Sequence, residues 1–216
     1  MIEGVDYYVI HTKVNDSILH FKFLTKTNYS AVIIDNFYSE DELKLIWREL
    51  DFLTDKFLPG KLTQSTFNDK GESKSNSGIF LDQVYSNRNF SNILKINRKI
   101  YNQNITSELI GMNPIFRVLL SCNFDTSLLS YYENGDSYHS HTDSSSMTVL
   151  SYFHKEPQKF SGGELILNDF DLKILPKNNR IIMFPGCYSH EVLEVSLDNK
   201  SGNYGRYSMT QFLNYR

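Results

Sequence analysis

A run of short strand patterns after Pro114 limits the possible folds more than any other feature of this sequence. Its β-branched and aromatic segments favour strands, and the Gly, Asn, Asp and Ser residues between them favour turns. The segments are FRVLLSCNF, TSLLSYY, MTVLSYF, GELIL, LKIL, RIIMF, HEVLEV and YSMTQFLNY. Many short strands with such turn residues between them are typical of a β-sandwich or jelly roll.

The chain before Pro114 adds further strands and two helices to this pattern. One helix is predicted to begin after Ser39, because Glu42 stands three residues later and completes a capping box. A second helix is predicted to end at Gly111. The segments are DYYVIHTKV, ILHFKFL, AVIIDNF and GIFLDQVY as strands, and NFSNILKINRKIYNQNITSELIG as the second helix.

Together these patterns predict an α+β, mainly β fold, with helices packed on one face of a double sheet. The 216 residues suit one domain, which we predict to span 1–216. Residues 1–114 would then supply N-terminal strands and supporting helices, and residues 115–216 would form the jelly-roll core.

Three potential metal ligands fall at alternate positions in the segment YYENGDSYHSHTD. On a strand, His139, His141 and Asp143 would all face the same side. A further ligand should come from a neighbouring strand, and His190, placed at a strand start by the Pro185-Gly186 turn, fits that role. The other downstream histidine, His154, adjoins a charged loop and is interpreted as a solvated loop residue.

Two histidines and one carboxylate form the set that holds Fe(II) on one face in non-haem oxygenases and leaves positions open for other ligands. A structural zinc site would instead need four ligands, usually including Cys, and the chain has only Cys122 and Cys187. The residues alone leave two pairs open, namely His141 with Asp143, or His139 with His141 as in a cupin-like site.

Four motifs in order resemble the 2-oxoglutarate/Fe(II)-dependent oxygenase superfamily, in its prolyl 4-hydroxylase-like branch. The first is the spacing Tyr132-x-x-Gly135-x-x-Tyr138-x-x-His141-x-Asp143. The others are SGGELIL, FPGCYSHEV and GRYSM. The resemblance is close over residues 130–215, and AVIIDNFYSEDELKLI is similar to the family's entry strand and first helix.

The resemblance implies a double-stranded β-helix and a site for each cofactor. It implies that His141, Asp143 and His190 bind Fe(II), and that His139 does not. Arg206 and Ser208 would then bind 2-oxoglutarate, with Tyr132 and Tyr152 beside it. Ascorbate is a further candidate cofactor. A guanidinium suits the distal carboxylate, because it can donate two parallel hydrogen bonds, which Lys cannot do.

The implied reaction is hydroxylation of a C–H bond with O2, giving succinate and CO2 as coproducts. The substrate would be a prolyl or other peptidyl side chain, a free amino acid or another small metabolite. The alternatives are a nucleobase dealkylase of the same superfamily and a cupin-like jelly-roll binding module without catalysis. A dealkylase is disfavoured because the next arginine after Arg206 is Arg216, too distant for the second arginine usual in that branch.

Two segments differ from the family pattern or suggest a further role. The segment between His190 and Arg206 is longer than the family's usual spacing, and its LDNKSGN sequence suggests a hairpin insertion. The polar segment PGKLTQSTFNDKGESKSNS suggests a lid over the site, which we hypothesise for residues 60–77.

Composition limits the partners and location that we expect. The formal net charge of −3 argues against a nucleic-acid partner bound through a strong positive field. No apolar run reaches membrane-spanning length, and no signal peptide is evident, so we expect a cytoplasmic protein without membrane partners. The sequence leaves the oligomeric state open.

Overall fold

The computed structural model describes residues 7–14, 17–24, 30–63, 74–197 and 203–216. Its helices are α1 (Glu40–Leu53), α2 (Leu81–Val84), α3 (Asn92–Ile96) and α4 (Gln103–Met112). Its strands are β1 (Tyr7–Val14), β2 (Ser17–Leu24), β3 (Val32–Asp35), β4 (Leu58–Pro59), β5 (Ser77–Phe80), β6 (Phe124–Tyr132), β7 (Tyr138–His141), β8 (Met147–Phe153), β9 (Phe160–Gly162), β10 (Leu165–Leu167), β11 (Leu172–Ile174), β12 (Arg180–Phe184), β13 (His190–Val192), β14 (Val195–Leu197) and β15 (Arg206–Asn214).

Two antiparallel sheets enclose the interior of the molecule. The major sheet has nine strands in the order β1-β2-β3-β12-β8-β15-β6-β5-β4. The minor sheet has four, in the order β11-β10-β13-β7, and β14 pairs with β9 as a separate ribbon. This architecture confirms the predicted α+β, mainly β jelly roll. Strands from both sides of residue 114 share the major sheet, while the single-domain boundaries stay a prediction.

The apolar core has two parts, one on each face of the major sheet. Helix residues such as Leu50, Ile93 and Leu109 pack with Phe21 and Met209 of the sheet. The second part fills the space between the two sheets and includes Ile182, Phe184, Leu165 and Leu167. The helices therefore support the major sheet from outside and leave its inner face to the site.

Helix α1 begins as the sequence predicts. The Ser39 hydroxyl accepts a hydrogen bond from the Glu42 amide, and the Glu42 carboxylate accepts one from the Ser39 amide. This reciprocal pair satisfies two amides that a helix start otherwise leaves unpaired. Trp47 of α1 packs its ring edge-on against Phe153 and Tyr207 of the major sheet.

The segment FRVLLSCNF is not the strand that the sequence suggested. Residues Pro114–Leu120 form a 3-10 helix, begun by the Asn113 side chain, which accepts a hydrogen bond from the Ile115 amide. Phe116 and Leu119 are its buried residues, and they are three positions apart, as one face of such a helix requires. Local capping has overridden the strand propensity of this short apolar run.

Three other predicted elements are divided. GIFLDQVY continues from β5 into α2, and HEVLEV becomes β13 and β14 in different sheets. The predicted second helix is split into α3, a 3-10 turn and α4, because Asn102 is extended and its side chain caps the amide of Asn104. A short capping side chain explains why one long helix becomes several pieces.

Two sequence hypotheses fall on residues that the structure does not describe. Residues 64–73 of the hypothesised lid, and residues 198–202 of the suggested hairpin, lie outside the described ranges. No helix within the described ranges is both long enough and apolar enough to span a bilayer.

Candidate metal and cosubstrate site

His141, Asp143 and His190 meet between the two sheets. His141 Nε2 lies 3.8 Å from Asp143 Oδ1, and His190 Nε2 lies 3.6 Å from Asp143 Oδ2. One ligand atom from each of the three lies within 4.8 Å of the others, and no other such cluster occurs among the described residues. Three donor atoms this close can face a single ion.

Backbone carbonyls fix both imidazoles with Nε2 toward the shared centre. His141 Nδ1 lies 2.9 Å from the His139 carbonyl oxygen, and His190 Nδ1 lies 2.9 Å from that of Tyr188. A carbonyl can only accept, so each Nδ1 donates its proton and Nε2 presents a lone pair. Burial, with a smaller contribution from nearby His190, lowers the pKa of His141 to about 3. The ring is therefore neutral at ordinary pH, as a metal ligand must be.

A β-bulge explains why His139 is not part of this group. His141 pairs with His190, but Tyr138 pairs with Val192, so strand β7 carries one more residue than β13 between the two pairs. An extra residue breaks the alternation of side chains along a strand. Tyr138 and His141 consequently line the same cavity. The prediction that His139, His141 and Asp143 would all face the same side of a strand is therefore wrong.

Asp143 is held in place by the strand beside it. Thr148 Oγ1 donates a hydrogen bond of 2.6 Å to Asp143 Oδ2, and Ser145 Oγ lies 2.8 Å from Thr148 Oγ1. The amide of Asp143 donates to the Gly186 carbonyl, which belongs to the turn before His190. One carboxylate oxygen is therefore fixed, and the loops that carry Asp143 and His190 are tied together.

Arg206 lies in the same cavity as the three clustered side chains. The cavity measures about 290 Å³ and opens between the inner faces of the two sheets. The Arg206 side chain is almost fully enclosed, with 1 % of the residue exposed. None of its guanidinium nitrogens makes a hydrogen bond of good geometry with a described residue. A buried cation with unused donors is costly, so this position favours an anionic ligand.

Tyr132 and Tyr152 flank the guanidinium on neighbouring strands. Arg206 pairs with Tyr132 across β15 and β6, and Ser208 pairs with Tyr152 across β15 and β8. The guanidinium carbon lies 4.6 Å and 4.7 Å from the two ring centroids. Burial raises the pKa of Tyr132 to about 12 and also raises that of Tyr152. Both phenols therefore remain protonated and can donate, as can Ser208, which also lines the cavity.

Gly163 makes room for the Arg206 side chain. Its backbone is left-handed, at φ +70°, and a Cβ atom there would stand 2.6 Å from Arg206 Cδ and 2.9 Å from Val195 Cγ2. Both the conformation and the contact require glycine. The turn between β9 and β10, within the SGGELIL segment, thus packs against the Arg206 side chain of β15.

His154 is not the solvated loop residue that the sequence suggested. It is buried, and its Nε2 accepts a hydrogen bond of 3.1 Å from the Asn178 amide. This bond secures the turn before β12, so the residue has a structural role outside the cluster of His141, Asp143 and His190.

Gly163, Thr148 and Lys74 contribute to the site, but the sequence did not predict these roles. Two consecutive glycines, Gly162 and Gly163, are typical of backbone with positive φ. The sequence did not indicate that Gly163 would contact Arg206. Thr148 resembles any polar residue of a strand. Lys74 stands in a polar segment that suggests solvation, yet it is buried in the cavity with 4 % exposed.

The sequence comparisons agree with this geometry. Residues 127–214 match the family model described as the 2OG-Fe(II) oxygenase superfamily. A curated relative, an uncharacterized PKHD-type hydroxylase from Synechocystis sp., is 32 % identical over 104 residues, which is 39 % of this chain and 34 % of the relative. The chain thus matches about a third of that relative's length.

Solved structures share the fold over most of the chain. A Pseudomonas putida prolyl-4-hydroxylase superposes with a TM-score of 0.54 at 16 % identity, covering 88 % of this chain and 94 % of its own. An oxidoreductase of the 2OG-Fe(II) oxygenase family from Burkholderia pseudomallei gives 0.55 at 15 % identity, with 86 % and 85 % covered. The motifs, the family match and the fold agree, and they identify residues 127–214 as similar to the 2OG-Fe(II) oxygenase superfamily.

Proposed function

We propose that the protein is a 2-oxoglutarate- and Fe(II)-dependent dioxygenase that hydroxylates a C–H bond of a peptidyl or free amino acid substrate. The observation that carries the proposal is the pairing of two features in one cavity. A cluster of two histidines and an aspartate stands beside a buried arginine that has no good hydrogen-bond partner among the described residues. A metal ion would account for the first feature, and an anionic ligand would give the guanidinium the acceptors that it needs.

The residues fit the cofactors that this superfamily uses. Imidazole nitrogens and a carboxylate oxygen suit ferrous iron, and a set of three protein ligands leaves coordination positions open. His141, Asp143 and His190 would hold the ion. Arg206, with Ser208 and the two tyrosines, would hold the distal carboxylate of 2-oxoglutarate. When bound, Fe(II) and 2-oxoglutarate would together supply the electrons that activate O2.

The protein's own residues bind, orient and exclude water. The carbonyls of His139 and Tyr188 hold the imidazoles, and Thr148 holds the carboxylate. Apolar side chains complete the lining, among them Leu165, Phe184 and Val192. An enclosed apolar wall limits side reactions with water. In the balanced overall reaction, the substrate C–H, O2 and 2-oxoglutarate give the alcohol, succinate and CO2.

Succinate formation tests this proposal directly. Purified protein with ferrous iron, 2-oxoglutarate and ascorbate should form succinate under air, slowly without substrate and faster when a substrate from a panel of proline peptides and free amino acids is added. The rate should disappear when the metal is chelated. If succinate never exceeds the level that forms with iron and ascorbate in the absence of the protein, the proposed activity is refuted.

Thr148→Val should weaken metal binding without removing a ligand. The change keeps the side-chain shape but deletes the hydrogen bond to Asp143 Oδ2, and losses of this kind cost about 10–100-fold in metal affinity. The matched control is Thr126→Val, since Thr126 lines the same cavity. Calorimetric titration with Fe(II) without oxygen measures both. Equal affinities in the two variants would show that Thr148 does not hold the carboxylate.

Gly163→Ala should reduce the affinity for 2-oxoglutarate while the metal ligands stay in place. The new methyl group would push against Arg206 Cδ and force the left-handed backbone to accept a side chain. Gly111→Ala serves as the control, because a Cβ atom there meets nothing within 4 Å. The proposed role of Gly163 fails if 2-oxoglutarate binds both variants equally well.

A further inference from the structure

The cavity that contains the proposed site has a closed end and an open end. Tyr132, Arg206 and Ser208 line its closed end, where none of them is more than 3 % exposed. Phe80 and Phe212 line the other end, and both are partly exposed. The proposed cosubstrate occupies the closed end, so the substrate has to approach the metal ligands from the end that these two rings border.

The proposed cosubstrate would lie along a strand of the major sheet. Alternate residues of a strand share one face, so they form a row along it. One such row on β15 lines the cavity and consists of Arg206, Ser208, Thr210 and Phe212. A 2-oxoglutarate molecule that reaches from the metal ligands to the Arg206 guanidinium would run parallel to this row.

A second row of residues leads away from Asp143 across the strands. The Thr148 hydroxyl donates its hydrogen bond to Asp143, and Thr148 pairs with Phe212 of β15. Phe212 in turn pairs with Thr126 of β6. This row therefore begins at a proposed metal ligand and extends sideways, whereas the cosubstrate would extend along β15.

The second row continues onto a third strand, β5. Leu128 follows Thr126 by two residues on β6 and pairs with Phe80 of β5. Neighbouring strands are about 4.8 Å apart, so the row covers roughly 10 Å from β15 to β5. We call its four cavity-lining residues, Phe80, Thr126, Leu128 and Phe212, the apolar wall. A side chain bound on this wall would lie beside the cosubstrate and would not occupy the same space.

The apolar wall has almost no polar chemistry to offer a ligand. The ring centroids of Phe80 and Phe212 are 6.4 Å apart, with their planes tilted by 34°. Leu128 belongs to β6, the strand between the two that carry these rings. None of the four residues can carry a charge, and the Thr126 hydroxyl is their one polar side-chain group. Covering such a surface with an apolar group removes it from water and is favourable.

We propose that the apolar wall binds a large apolar side chain of the substrate, of the size of Leu, Met or Phe, beside the metal ligands. The inference rests on the proposed dioxygenase function and narrows its substrate class. Because the wall spans two intervals between strands, it is wider than a proline ring and suits a longer side chain. That side chain can belong to a free amino acid or to a residue of a peptide.

Binding without turnover tests this inference. The protein is loaded with Zn(II) and 2-oxoglutarate and titrated calorimetrically with two probe sets. The first set contains the free L-amino acids Leu, Asn, Met, Gln, Phe and Pro. The second set places the same residues at the centre of capped peptides that otherwise contain glycine. In one set, we expect Leu to bind about tenfold or more tightly than Asn, which has nearly the same shape, and Met likewise more tightly than Gln. The set in which this occurs identifies the source.

Substitutions then assign the apolar preference to the wall. Phe212→Ala and Phe80→Ala each remove one ring and should reduce the preference to less than about threefold. Phe212→Leu should retain most of it, and Phe90→Ala, which removes a ring that is 76 % exposed and outside the cavity lining, should retain all of it. Thermal unfolding and 2-oxoglutarate affinity are measured in every variant, and the 2-oxoglutarate affinity should not change. A role limited to packing would alter unfolding but not the preference.

Several results would overturn the inference. These are a wild-type protein that binds Asn and Gln as tightly as Leu and Met, one that binds Pro more tightly than Leu, Met and Phe, or a preference that survives in both alanine variants of the wall. Absence of all probe binding by a wild-type protein that still binds Zn(II) and 2-oxoglutarate would also overturn it, while leaving the dioxygenase function intact. If the wild type binds neither metal nor 2-oxoglutarate, the proposed function itself has failed, and the inference fails with it.

Discussion

His141→Ala should abolish Fe(II) binding and turnover, whereas His139→Ala should leave iron affinity nearly intact. His141 Nε2 lies 3.8 Å from Asp143 Oδ1 in the cluster that we propose as the metal site. Loss of a ligand from a set of three should cost more than the 10–100-fold typical of a supporting residue. Anaerobic titration with Fe(II) and succinate formation measure the two effects.

The His139 variant is an informative control because it changes a side chain and keeps a backbone contact. The carbonyl of His139, which accepts the Nδ1 proton of His141, is still present in alanine. The side chain is separated from the cluster by the bulge in β7. Equal loss of iron affinity in both variants would instead favour the cupin-like pair of His139 and His141.

Arg206→Lys should raise the Michaelis constant for 2-oxoglutarate by about 10–100-fold, with iron binding unchanged. A hydrogen bond to a charged group contributes roughly 1.5–3 kcal/mol, and lysine cannot reproduce the two parallel bonds of a guanidinium. Bulk solvent has little access to the residue to compensate, since 1 % of Arg206 is exposed. Steady-state kinetics at varied 2-oxoglutarate provide the measurement.

Ser121→Ala is a suitable comparison for the arginine variant, because Ser121 is exposed at the end of a 3-10 helix. The Ser121→Ala variant should leave the Michaelis constant for 2-oxoglutarate unaltered. If Arg206→Lys behaves in the same way, Arg206 is wrongly assigned. The long segment between His190 and Arg206 would then need a different alignment to the family.

The elements that the sequence predicts well are those fixed by local signals. The capping box at Ser39 and Glu42 defines the start of α1, and MTVLSYF forms β8 with the predicted bounds. The 3-10 helix at Pro114–Leu120 was missed because its apolar residues have strand propensity. The capping side chain of Asn113 favours the 3-10 helix over a strand. Residue propensities alone do not reveal this competition between local structures.

The site was partly predictable because its motifs have fixed spacing. The resemblance indicated His141, Asp143, His190 and Arg206, and the structure brings all four to one cavity. The sequence contains no comparable motif that predicts contacts between distant segments. The bulge in β7 depends on how that strand pairs with β13, and the burial of Lys74 depends on Gly60 and Thr63. These features arise from tertiary packing.

A crystal structure with Fe(II) and 2-oxoglutarate, prepared without oxygen, tests the central claim most directly. Anomalous scattering should locate one iron bound by His141 Nε2, His190 Nε2 and the Asp143 carboxylate. 2-Oxoglutarate should chelate that ion, with its distal carboxylate on the Arg206 guanidinium. An iron bound through His139, or a 2-oxoglutarate whose distal carboxylate lies away from Arg206, would contradict the account.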